Sequence, residues 1–310
     1  MPQLLNLKHL AVDGGSVICQ PLSFVTLFIR VDGSLYSLGN LLTLPLPPDL
    51  KRMLIVTHDI DWSLSGPGIQ HVLDRKDRFP QEILDLVIKE GFNPYNGISK
   101  IVEIEEQVGV KSTFLFRPKY DNGREVGEYA STLRMLRQSG FEVGLHANDT
   151  STLEQVKLEK SMIEQAAGSN INGCRIHYLR VVDNTFSNLK AAGFQYDSSL
   201  MFDKKNADPR DTDYLIRDGL VIFPITFMDA FLFSYTKLTE EKVVPYVLKN
   251  VEQLYEGGAK ILTLLWHDNS VMMRGGRAYG ELIKQLAAKS DVTFLKGIEA
   301  YQIVKNHMGM

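Results

Sequence analysis

From Lys51 onward the chain repeats one unit: a helical segment of 3.6-residue period, a glycine or other break, then a short apolar strand. Ile98 to Gln107 is helical in period, Gly109 ends it, and Ser112 to Phe116 follows as a strand. Tyr129 to Gln138 leads through Gly140 to Phe141–His146, and Leu153 to Ala167 leads through Gly168 and Gly173 to Cys174–Tyr178. Phe186 to Ala192 leads through Gly193 to Phe194–Asp197, and a strand over Leu220 to Ile225 runs on into Met228-Asp229. Glu240 to Glu256 precedes Gly257-Gly258 and Lys260–His267, and Glu281 to Lys289 precedes Val292–Leu295, with a last helix from Gly297. A glycine after a helix reads as its C-terminal cap. Helix and strand alternating through short connections read as parallel βαβ units. Counted from the apolar run Met53-Leu54-Ile55-Val56, seven or eight such strands over about 250 residues predict a distorted (β/α) barrel. No glycine-rich phosphate loop follows the first strand, which weighs against a dinucleotide fold.

Residues 1–50 lack this helix-and-strand repeat. Asp13-Gly14-Gly15, the run Phe24 to Val31, Asp32-Gly33 and Ser34 to Leu38 predict a hairpin flanked by loops, ending in Pro45-Leu46-Pro47-Pro48. We divide the chain into a small N-terminal β extension with its linker, 1–50, and a barrel, 51–310. His9 reads as a surface histidine, and the extension is a candidate for covering one end of the barrel or for pairing two chains in a homo-oligomer.

The 34 basic and 37 acidic residues are spread along the 310-residue chain, with no basic stripe for nucleic acid. Cys19 and Cys174 are too few and too far apart for a disulfide framework or a cysteine zinc site, so a reducing compartment fits best. No apolar run approaches the length of a membrane span and no charged-then-apolar leader opens the chain, so a cytoplasmic location is expected.

In barrels of this kind chemistry is placed at the carboxyl ends of the strands. Those ends carry Asp59 and Asp61, then His146, Arg175 and His177, Asp197, and His267-Asp268. Four of the seven histidines, His58, His146, His177 and His267, fall there, a concentration that marks a site. Asp59 and Asp61 share one face of an extended chain, with His58 on the other. Two carboxylates held so close call for a cation, a proton or an arginine between them. The inventory matches a metal-assisted hydrolase. A carboxylate and a histidine suit zinc, a second carboxylate serves as base, and a histidine across the barrel serves as acid. Arg175 can hold the base ionised by a charge-assisted hydrogen bond.

The order of motifs resembles the polysaccharide deacetylase family, carbohydrate esterase family 4, with its NodB-homology domain, over about Lys51 to Lys305. Thr57-His58-Asp59-Ile60-Asp61 stands at the first motif, in its variant with a residue between the aspartates. The resemblance implies Asp59 as general base and Asp61 as metal ligand. Gly144-Leu145-His146 stands at the second motif, making His146 a ligand, but the second histidine usual there is replaced by Thr150. Arg175-Ile176-His177-Tyr178 stands at the third, with Arg175 orienting the base and the Tyr178 backbone donating to an oxyanion. His177 replaces that motif's proline and is a candidate for the third metal ligand or for a substrate contact. Tyr196-Asp197-Ser198-Ser199 stands at the fourth, implying that Asp197 pairs with Arg175. Leu264-Leu265-Trp266-His267 stands at the fifth, with His267 as the acid.

The expected function is therefore metal-dependent hydrolysis, with zinc the expected ion, of an N-acetyl or similar amide on an amino sugar or glycan precursor. Trp62, Phe116, Tyr178 and Trp266 are candidates to stack on a sugar ring or to close the core. The competing readings are a metal-independent amidohydrolase acting on a cyclic amide or imide, and a catalytically silent glycan-binding barrel.

Overall fold

The structure is a computed structural model that describes residues 23–31, 34–43, 46–47 and 50–309, the first two stretches as backbone. The expectations for His9, Asp13-Gly14-Gly15, Cys19, the Asp32-Gly33 turn, and Pro45 and Pro48 of the proline stretch lie outside the described residues. Strands β1 (Ser23–Val31) and β2 (Ser34–Thr43) pair antiparallel as a hairpin.

Nine strands of the remaining chain run parallel to their neighbours: β3 (Arg52–Ile60), β4 (Thr113–Phe116), β5 (Glu142–Ala147), β6 (Gly173–Ile176), β7 (Tyr196–Asp197), β9 (Leu220–Ile222), β10 (Phe227–Met228), β11 (Ile261–Leu265) and β12 (Val292–Leu295). A tenth, β8 (Leu215–Arg217), runs antiparallel to β9 and carries the hairpin through Leu42 opposite Ile216. The order is β9-β7-β6-β5-β4-β3-β11-β10, with β12 beside the first half of β3. No ladder joins β10 back to β9 among the described residues. The result is the expected distorted barrel, left open between β10 and β9. It is one strand richer than the count from sequence because the stretch from Leu220 to Met228 forms two strands, β9 and β10, with β12 docked on β3 below the start of β4.

The repeating helices lie between these strands. They are α3 (Ile98–Gln107), α4 (Ala130–Gln138), α5 (Leu153–Ala167), α6 (Thr185–Ala191), α8 (Glu240–Glu256), α9 (Ala278–Ala287) and α10 (Gly297–Met308). Their ends follow local chemistry. Thr152 accepts a hydrogen bond from the Gln155 amide at the start of α5, and Gly168 ends it at φ 68°, where a glycine adopts the left-handed backbone without strain. Two elements of the stretch after β3, α1 (Ile69–Leu73) and α2 (Gln81–Glu90), and the short α7 (Asp229–Ser234) add to that expectation.

β3 is buried at eight of its nine positions because neighbours cover both faces. Its side chains alternate: Leu54 and Val56 join the large core beneath the helices, while Met53 and Ile55 join the barrel interior with Tyr196, Phe223 and Ile261. The same period carries His58 to the helix side and Thr57 and Asp59 to the interior. The floor closes around Tyr196, whose ring leaves no room for a Cβ at Gly173 or Gly297. There the Gly297 amide at the start of α10 donates to Thr113 Oγ1 (3.0 Å) and the Ile298 amide donates to Glu142 Oε2 (2.9 Å). Replacing Glu142 by Ala orphans the Ile298 amide and the Thr113 hydroxyl. It is expected to cost about 2–4 kcal/mol, read as a lowered denaturant midpoint, with Glu142→Gln losing less.

Candidate active site

The strands deliver the expected residues to one end of the interior, where Asp59, Asp61, His146, His177, Tyr178 and His267 line an open cleft of about 1060 Å³ and Arg175 and Asp197 are buried behind it. Arg175 is fully buried on β6. Its Nη1 donates to Asp59 Oδ1 (2.9 Å) and to Thr57 Oγ1 (2.8 Å), both on β3. Its Nε and Nη2 donate to the carbonyl and hydroxyl of Ser198 (2.6 and 2.7 Å). Burial alone would raise the Asp59 pKa, but the charges of Arg175, His146 and His267 outweigh it and hold the carboxyl below its usual range.

The expected pairing of Asp197 with Arg175 is not what forms. Asp197 accepts from the Ser199 amide (2.8 Å) and hydroxyl (2.6 Å), and the guanidinium is filled by Ser198 and Asp59 instead. One step along a strand end reverses the facing, so Ser198 meets Arg175 while Asp197 braces the turn. Burial pushes the Asp197 carboxyl up to about 7.

Asp61 lies between three histidines. Its Oδ1 is 3.2 Å from His146 Nε2 and 3.8 Å from His177 Nε2, and its Oδ2 is 3.7 Å from His267 Nε2. His146 Nδ1–H donates to the Arg175 carbonyl (3.1 Å), so in the neutral ring the Nε2 lone pair faces Asp61 and, at 3.6 Å, Asp59. Asp61 Oδ1 is buried and makes no hydrogen bond. A lone pair turned onto carboxylate oxygens with no proton between them is the arrangement a cation relieves. Asp61, His146 and His177 each offer one ligand atom, all within 4.8 Å of one another, and so could hold a metal ion. Burial, with the neighbouring His146 adding to it, pulls the His177 pKa down to about 4, which keeps that ring neutral. Thr150 takes no part: it is buried with its hydroxyl on Thr185 (2.9 Å).

His267 enters from the end of β11, and its orienting partner is a residue for which the sequence suggested no role. Asp229, the first residue of α7, accepts from His267 Nδ1 (2.6 Å) and from the His267 amide (3.0 Å), and Ser270 donates to it as well. The signal that could have found it is the strand-end position of Met228-Asp229, since β10 is only two residues long. Burial lowers the His267 pKa, but the Asp229 charge and hydrogen bond outweigh it and lift the pKa to about 10.

His58 packs beneath the site, its Nδ1 on the Trp266 carbonyl (2.7 Å) and its Nε2 on Glu105 (2.8 Å), which also accepts from Ser112 and Tyr279. Trp266 and Phe116 are fully buried core residues, whereas Trp62 and Tyr178 line the cleft. Tyr178 adopts a left-handed backbone, φ 58°, and lies against the His177 ring at 3.8 Å between centroids. Asp268 turns away from the cleft and accepts from the Gly97 amide (3.3 Å).

If the cluster is a metal centre, metal analysis by plasma mass spectrometry after dialysis against divalent ions returns about one ion per chain. Asp61→Ala, His146→Ala and His177→Ala each lose it while keeping a wild-type circular dichroism spectrum. Retention of the ion in His177→Ala would remove that residue from the set.

No family model matches the chain, and no curated protein matches it. Among solved structures, a protein assigned as a polysaccharide deacetylase from Mycobacterium smegmatis superimposes with a TM-score of 0.60 at 19% identity, over 86% of this chain and 95% of that one. The Puue allantoinase gives a TM-score of 0.60 at 13% identity, over 85% and 95%. A protein assigned as a polysaccharide deacetylase from Pseudomonas aeruginosa PAO1 gives 0.58 at 15%, over 86% and 94%. No helix among the described residues is long and apolar enough to cross a membrane. This chain therefore has the distorted (β/α) barrel fold of these deacetylase-like proteins and of the allantoinase.

Proposed function

We propose that the protein is a metal-dependent hydrolase that removes an N-acetyl or similar acyl group from an amino sugar or glycan precursor. The observation that carries this reading is the pair of oriented proton carriers on either side of Asp61. Asp59 is held ionised by Arg175, and His267 is held protonated by Asp229. A binding barrel has no need of a base, an opposed acid and a separate orienter for each.

A divalent cation on Asp61, His146 and His177, zinc by the preference of a carboxylate and two imidazoles, supplies Lewis acidity and a water of lowered pKa when bound. Asp59 takes the proton of the attacking water, and the Arg175 guanidinium keeps the carboxylate in place for it. The Tyr178 backbone, turned by its left-handed conformation beside His177, is the candidate donor to the developing oxyanion. His267, with Nδ1–H on Asp229 and Nε2 toward Asp61, gives its Nε2 proton to the departing nitrogen. Asp197 has a structural part, bracing the Ser198-Ser199 turn that seats Arg175.

An equal likeness to an allantoinase favours a second reading, in which the same base and acid open a cyclic amide without metal. Chelation separates the two. Loss of turnover on dialysis against chelator with recovery on adding zinc supports the first, and undiminished turnover of a cyclic amide supports the second.

Asp59→Asn is expected to lower kcat/KM for acetate release from N-acetylated sugars by on the order of 100-fold or more, with the fold unchanged by circular dichroism. Unchanged turnover would end the assignment of Asp59 as base. The acid must be protonated to act, so activity is lost as pH rises through the His267 pKa, which Asp229 raises to about 10. Removing the charge in Asp229→Asn therefore moves the alkaline limb of the kcat/KM profile to lower pH by about a unit or more. A limb at the same pH in both proteins would show that another group sets it.

A further inference from the structure

The cleft extends well past the catalytic cluster into an arm built by the chain between Asp61 and Tyr95. Trp62, next to Asp61, lies in edge contact with His71 (5.0 Å between centroids) and Tyr95 (4.9 Å), and these two rings lie 5.4 Å apart. All three rings line the cleft, as do Arg75, Arg78 and Arg274. Arg75 Nη1 donates to the His71 carbonyl (3.3 Å). Arg274 comes from a different part of the chain and is tied to the same turn, its amide on the Arg78 carbonyl (2.7 Å) and its Nε on the Phe79 carbonyl (3.1 Å). Burial, then the charges of Arg75 and Arg78, hold His71 below its usual pKa, which places both guanidiniums within electrostatic reach of the aromatic triad.

Among the described residues Arg75, Arg78 and Arg274 make no ion pair, and what sets them apart from the other arginines without one is that all three line the cleft. Asp77 and Glu240 line the cleft beside them, Glu240 accepting from the Gly275 amide next to Arg274, so three guanidiniums stand against two carboxylates. Guanidiniums gathered beside an aromatic ring on a cleft wall suit recognition of an anionic group on a ring-shaped ligand. A carboxylate is saturated by one bidentate guanidinium, whereas a phosphoryl group brings a charge near −2 and three acceptor oxygens, enough for several.

We infer that this arm is a subsite for a phosphoryl group on the substrate, with the sugar ring against Trp62, which Tyr95 backs from the core, and the anion on Arg75, Arg78 and Arg274. The inference deepens the proposed hydrolase and rests on that reading. It makes the substrate an acylated amino sugar carrying a phosphate monoester or diphosphate rather than a neutral polysaccharide.

Calorimetric titration of the Asp59→Asn protein, whose turnover under the proposed mechanism is slowed by on the order of 100-fold or more, tests this. The probes are N-acetylglucosamine, N-acetylglucosamine 1-phosphate, UDP-N-acetylglucosamine and N-acetylglucosamine on a short prenyl diphosphate. At least one phosphorylated probe is expected to bind about tenfold or more tightly than the neutral sugar, the preference shrinking as salt is raised. Tightest binding of the prenyl form identifies a lipid-linked source, and tightest binding of the uridine form a soluble one. Adding Arg78→Gln and Arg274→Gln is expected to abolish the preference. Equal affinity for all four, or a preference that survives the arginine variants with the fold intact, overturns the subsite. Turnover by the wild-type protein distinguishes the two failures. Acetate release from neutral sugars without a preference sinks the subsite alone, whereas a phosphoryl preference with no release from any N-acylated sugar sinks the hydrolase reading.

Discussion

The site depends on one buried ion pair. Arg175 on β6 and Asp59 on β3 are removed from water and meet across the barrel interior, and such a pair is tolerated only where the remaining donors find partners. Thr57 and both polar atoms of Ser198 take three of the other N–H groups, which ties β3, β6 and the turn after β7 to a single geometry. Asp197 fixes that turn from behind through Ser199, and Ser199 in turn accepts from the Ile176 amide. Removing either partner of a pair of this kind typically costs about 3–5 kcal/mol, because the other charge is left buried alone. The interaction that keeps a carboxylate ionised for chemistry also locks the strand ends together.

The histidines around Asp61 are chemically alike in sequence and distinct in the fold, and the difference lies in the partner of the second ring nitrogen. His146 gives Nδ1–H to a carbonyl, which leaves Nε2 as a lone pair suited to a cation. His267 gives Nδ1–H to a carboxylate, which favours the protonated ring. His177 is held neutral chiefly by its burial. His58 spends both nitrogens inside the protein, and by bonding the Trp266 carbonyl it holds the residue before His267 against β3.

The long excursion between β3 and α3 has a different logic. Val72, Phe79, Leu84, Val87 and Tyr95 form a small core of their own, so the excursion is a built wall rather than a loose connection. Its polar edge is where aromatic and basic side chains meet the cleft. A barrel supplies a generic mouth, and walls of this sort decide what enters it.

The alternation of helix and strand, the buried character of β3, the period that turns Asp59 inward and His58 outward, and the strand ends at which chemistry sits are all legible in the order of residues. These are properties of 2.0 and 3.6 residue periods and of glycine caps, which act over a few residues. The partners belong to the tertiary structure. That Arg175 takes Ser198 and not Asp197, that Asp229 and not a nearer carboxylate orients His267, and that His177 faces Asp61 where Thr150 turns away each depend on which strands neighbour one another and on half-turns at their ends. The ninth parallel strand was equally hidden, since the two residues of β10 become a strand only by pairing with Leu264 and Leu265 of β11. Local pattern sets which way a side chain points; register between segments far apart in the chain sets what it meets.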